Sequence, residues 1–147
     1  RRRVADFLEA AVVHGLLNQV VKFSVGRQRP LARYAAPGRE VEQDDNLSFF
    51  SGHSGTGFAV ATSAAMVARR RGYRLEPLFW AGGLGLASSA AYLRMAADKH
   101  YLSDVVIGAL AGSAVGVAVP TLLHPHLVET SVAVVPSGNG VVFVGTF

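Results

Sequence analysis

The 147-residue chain contains no cysteine. That excludes a disulfide, a thiolate metal site and a cysteine nucleophile. Charge is scarce: 16% of residues are Asp, Glu, Lys or Arg, against about 25% in an ordinary soluble domain. Aromatic residues make up 9%. No basic stripe interleaved with aromatics occurs, which sets nucleic acid aside as a partner. Acidic residues are the scarcer sign, 10 against 14 basic, for a net charge of +4 and a pI of about 10. That imbalance suits an anionic lipid or a phosphorylated small substrate. Charge is missing altogether from Val105 to Leu123, a run of 19 residues and long enough to cross the hydrocarbon of a bilayer. Pro77 to Leu93 is nearly as clean.

What is present fits one greasy domain, 50% hydrophobic with a mean hydropathy of +0.32. The chain starts at Arg1 without Met or a signal-like segment, the pattern of an excised domain. Apolar residues at Phe7, Leu8, Ala11, Val12, Leu16 and Val20 recur near a 3.6 period and predict a helix over Val4 to Phe23. Gly26 and Arg29-Pro30 close it. Residues 27–47 read as a long polar loop with an acidic run, Glu40 to Asp45; such loops are usually functional or mobile. Further helices are expected from Gly52 to Arg70, from Glu76 to Met95 with Pro77 in the first turn, and from His100 or Leu102 to Leu123. Val132–Val135 and Val141–Val144 around a Gly-rich turn predict a β-hairpin. The expected architecture is therefore all-α: a bundle of four main helices over residues 1–128, the catalytic part, followed by a short hairpin tail over 129–147.

Three short stretches carry candidate chemistry. Lys22 is followed by Arg29-Pro30, Ser51-Gly52-His53 opens a helix, and Arg94 is followed by His100 and Asp104. Lys22, Arg29 and Arg94 supply fixed cations of the kind that stabilise a phosphoryl group in transfer. Arg grips phosphate oxygens with two donors and Lys acts as a point charge. Ser51 offers a hydroxyl, and the N–H groups of Gly52 and His53 at a helix start add anion-directed donors. His100 and Asp104 are four apart, which on a helix places them on one face. Asp104 is then expected to accept a hydrogen bond from one nitrogen of His100 and leave the other free to attack or to take a proton. Two histidines with one carboxylate suggest divided roles, one attacking and one shuttling a proton. No Asp, Glu or His cluster shows the spacing of a catalytic metal site, so no metal or cofactor is expected.

Taken together, KFSVGRQRP (Lys22 to Pro30), SFFSGH (Ser48 to His53) and RMAADKHYLSD (Arg94 to Asp104) resemble the three-part signature of the phosphatidic acid phosphatase type 2 and vanadium haloperoxidase superfamily. The resemblance implies that Lys22, Arg29 and Arg94 hold phosphate and that Ser51 and Gly52 contact its oxygens. It implies that His53 protonates the leaving alcohol, that His100 becomes a phosphohistidine, and that Asp104 orients His100. It implies a metal-independent phosphatase acting on a phosphorylated lipid or small phosphate ester, with vanadate as a phosphate mimic. Phe50 stands where the family often has Pro, and Leu93 where it often has Ser.

Three rivals remain at this level: a vanadate-dependent haloperoxidase, a non-catalytic anion-binding membrane domain, and a soluble periplasmic acid phosphatase. If all four helices cross a membrane, the motif residues fall at one set of helix ends. Arg1–Arg3, Arg69–Arg71 and Arg74 fall at the other. The positive-inside rule then points to a bacterial inner membrane with the site facing the periplasm. His14 reads as a packed core histidine. His124 and His126 read as helix-end residues facing the dipole. Asp44 and Asp45 read as a solvated loop able to pair with the pocket arginines when no substrate is bound.

Overall fold

The structure is a computed structural model describing residues 5–40, 42–124, 132–137 and 140–145. Four long helices form it: α1 (Ala5–Val25), α3 (Gly52–Arg70), α4 (Glu76–Ala96) and α5 (Leu102–Ala118). A short α2 (Pro30–Arg33) interrupts what the sequence reads as loop. Pro30 fixes the φ that a first helical turn needs and has no N–H to leave unpaired. After α5 the chain continues as a π-helical turn, Val119–Leu123, with Pro120 inside it. Arg70 at the end of α3 donates to the Pro120 carbonyl oxygen at 2.9 Å.

Helix α3 is the centre, packed against α5, α4 and α1. Its partners approach closely because the contact faces are made of small residues. Ala10, Ala59, Ala61, Ala65, Ala68, Ala87 and Ala91 make up most of the buried apolar core. On α5, Gly108, Gly112 and Gly116 form one stripe against α3. A β-carbon at Gly112 would overlap the Gly55 carbonyl oxygen, and one at Gly116 would lie 2.5 Å from the Ala59 carbonyl oxygen. Glycines at every fourth position bring two helix backbones together in this way. The large apolar side chains face outward instead: Leu8, Leu16, Val20 and Phe23 on α1, Leu86 and Leu93 on α4, Leu102 and Leu110 on α5. Among the described residues one helix, Leu102–Leu123, is long and apolar enough to cross a bilayer, with a mean hydropathy of 2.0.

Candidate active site

The three motif stretches meet at one end of the bundle. Ser51 is the N-cap of α3, fully buried, its Oγ accepting from the Ser54 N–H at 3.4 Å. Gly52 and His53 are the first two helical residues, where N–H groups point out of the helix end. Gly52 is required by close approach: a β-carbon there would lie 2.7 Å from Asn18 Oδ1 of α1. Asn18 also donates from Nδ2 to the Phe50 carbonyl oxygen at 2.7 Å and so ties the loop ahead of α3 to α1. Asn18 lies one turn before Lys22 and one turn after His14. Buried His14 bonds through Nδ1 to Thr56 Oγ1 at 3.1 Å, as a packed core histidine. His124 sits at the C-cap of the π-helical turn and pairs with Glu9 of α1 through Nε2 at 2.7 Å; His126 lies outside the described residues.

His100 departs from the expected arrangement. It precedes α5, whose N-cap is Tyr101, so His100 and Asp104 do not share a helix face. His100 Nδ1 lies 3.9 Å from Asp104 Oδ2, too far for a hydrogen bond. Its partner is the Ser48 carbonyl oxygen at 2.8 Å. A carbonyl can only accept, so Nδ1 carries the proton and the lone pair sits on Nε2. Asp104, wholly buried, acts one step removed. Its Oδ2 accepts from Ser48 Oγ at 2.5 Å and from the Tyr101 N–H at 3.0 Å. Its Oδ1 accepts from Arg27 at 2.6 Å. The Arg27 guanidinium lies over the Tyr101 ring, 4.2 Å from its centroid. The carboxylate thus holds the segment whose carbonyl holds the histidine.

Ser48 and Arg27 are the residues that sequence reasoning passed over. Both lie inside the quoted motif stretches. A serine and an arginine close to a buried carboxylate were the available signal, but pairing across 56 and 77 positions leaves no local spacing to read.

Lys22, Arg29 and Arg94 surround this histidine closely enough for their charges to act on it. The same three act on His53. Burial and those cations hold His100 well below the usual histidine range, at about 4, with the Ser48 bond opposing. A lowered pKa means that the neutral ring persists as pH falls through the ordinary value of about 6.5. In the ligand-free protein the His100 ring resonances are therefore expected to titrate near pH 4 by NMR; a midpoint above pH 6 would contradict the buried, cation-flanked setting. His100 Nε2, Arg29 Nε and Arg94 Nε are all buried without a protein partner.

Carboxylates of Glu42, Asp44 and Asp45 come within 4.8 Å of one another, a grouping the sequence spacing did not suggest. Arg39 holds Asp45 with two hydrogen bonds, at 2.7 and 3.0 Å, and Glu42 N–H adds a third at 2.9 Å. Those bonds keep the Asp45 carboxyl down at about 2. Arg29 pairs with Asp44 at 2.8 Å.

The same three cations thus act on an unprotonated His100 and on a second histidine, His53, at a helix start. The sequence profile of the PAP2 superfamily matches residues 3–126, and the chain belongs to that superfamily. It is 27% identical to phospholipid phosphatase 1 of Rattus norvegicus, over 80% of this chain and 51% of that protein. It is 33% identical to lipid A 1-phosphatase of Porphyromonas gingivalis, over 77% of this chain and 22% of that protein. The chain thus spans about half the length of the first relative and less of the second. No solved structure matches it significantly.

Proposed function

We propose that this chain is a metal-independent phosphatase that removes phosphate from a phosphorylated lipid through a phosphohistidine on His100. The observation that carries the reading is the convergence of Lys22, Arg29 and Arg94 on a buried His100 whose Nε2 has a lone pair and no protein partner. In this reading Nε2 attacks phosphorus and the bond to the alcohol oxygen breaks. His53 gives that oxygen a proton, then takes one from the water that hydrolyses the phosphohistidine. The three cations, with Ser51 and Gly52, hold the equatorial oxygens. Asp104, through Ser48, keeps His100 in the attacking tautomer. Vanadate fits the same site as a phosphate mimic.

A lipid substrate is supported by the names of both relatives. It is also supported by a groove of about 710 Å³ between α3 and α4, lined by Gly57, Val60, Phe79, Leu86 and Ala90 among others. Gly57 is one turn from His53 and Ala90 one turn from Arg94, so a hydrocarbon chain has a place beside the phosphate. Membrane embedding is supported by the inverted packing, with small residues inside and Leu, Val and Phe outside. We place the site on the extracytoplasmic side of a bacterial inner membrane, because Arg69–Arg71 fall at the end of α3 opposite Ser51–His53. No chemistry is assigned to the tail over 129–147.

The test is phosphate release from phosphatidate, a polyprenyl diphosphate, a lipid A phosphate and an aryl phosphate, with and without a chelator. Release from a lipid substrate, unchanged by the chelator, is expected. Loss on chelation with recovery on adding a divalent ion would place the chain in another mechanistic class.

A further inference from the structure

We infer that Asp44 competes with phosphate for the site: its carboxylate occupies Arg29 in the ligand-free protein and gives way to the incoming phosphate, which weakens retention of free phosphate. The inference rests on reading Lys22, Arg29 and Arg94 as the phosphate site. Asp44 Oδ2 lies 2.8 Å from an Arg29 terminal nitrogen, with the Arg29 side chain 8% exposed and that of Asp44 47%. A buried guanidinium is thus paired with a carboxylate that keeps one side in water. The charge of Asp44 also acts on Lys22.

The loop holds Asp44 in that place. The Arg29 N–H donates to the Asp45 carbonyl oxygen at 2.7 Å, and the Leu47 N–H to the Asp44 carbonyl oxygen at 3.0 Å. Asp45 is itself clamped by Arg39 and the Glu42 N–H. Asp44 can therefore leave Arg29 by rotating its side chain into water without unfolding the loop. Arg29 Nε, buried and without a protein partner, is a donor that Asp44 does not use.

A carboxylate brings one negative charge to Arg29. A phosphate dianion brings two, with oxygens enough for Lys22 and Arg94 as well. The phosphate displaces Asp44, at the cost of a half-exposed ion pair that water readily replaces. The alternative, a static Asp44 that orients Arg29 for the ligand, predicts the opposite sign: removing it weakens binding.

The test is the Kd for inorganic phosphate, measured by calorimetry on the full chain in detergent. Asp44→Asn, which keeps the shape and removes the charge, is expected to bind about threefold to tenfold tighter. Asp44→Glu should stay near the wild-type value. In the double variant with Arg29→Ala, the gain from Asp44→Asn should vanish. If Asp44→Asn binds equally or more weakly while Arg29→Ala weakens binding, the role of Asp44 is overturned and the phosphate site stands. If Arg29→Ala leaves phosphate binding untouched, the phosphate site itself is wrong and the inference falls with it.

Discussion

His100→Ala is expected to leave a folded protein that has lost roughly 10⁴–10⁶ of its turnover rate, the scale seen when a nucleophile is removed from a preorganised site. The Ser48 carbonyl oxygen loses its partner in that variant. The hydrogen bonds of Asp104 remain: those to Ser48 and Arg27 tie α5 to the segments before α3 and α2, and that from the Tyr101 N–H closes the start of α5. Phosphate binding should persist, because Lys22, Arg29 and Arg94 are untouched. The discriminating measurement is rapid quench with a ³²P-labelled substrate. Acid-labile label on the wild-type protein, absent from the variant, is the expected pair of results. Wild-type turnover by His100→Ala would end the proposal of a phosphohistidine at this position.

Gly112→Leu is expected to destroy the fold rather than the chemistry. The new β-carbon meets the Gly55 carbonyl oxygen, carbonyl carbon and Cα, which are backbone atoms at a helix–helix contact and cannot rotate away. Overpacking a tight core usually costs about 1–3 kcal/mol even where side chains can yield. Here the helices must separate, and a native stability of about 5–15 kcal/mol leaves little reserve. Gly85→Leu is the matched control, since nothing lies within 4 Å of its β-carbon position. Thermal unfolding by circular dichroism should show Gly112→Leu unfolded or strongly destabilised, with Gly85→Leu near wild type. Equal melting temperatures for the two would mean that α3 and α5 do not pack through the glycine stripe.

The helices were legible because their signals are local. Apolar spacing, Pro77 and the serine ahead of Gly52 each act within a turn or two, and α3 runs from Gly52 to Arg70 as read. The short α2 was missed because a four-residue helix has no periodicity to detect. The small-residue stripe of α5 was equally visible as letters, but its meaning depends on what faces it. A glycine at every fourth position is a weakness in an isolated helix and a contact surface only when another backbone lies against it.

The same division runs through the site. The sequence by itself determined the residue types and the three motif stretches, whose order resembles the superfamily's signature and so pointed to the family. It did not determine which partner each group takes. The spacing of four between His100 and Asp104 suggested a direct bond, yet α5 begins only at Leu102 and the Ser48 carbonyl reaches the imidazole first. Only the tertiary structure decided that Asp104 works through Ser48 and Arg27, and that Asp44 sits on Arg29. The physical reason is that these are contacts of buried or half-buried polar groups. Each must find a partner where the packed backbone leaves one, and packing among α1, α3 and α5 is a property of the whole chain.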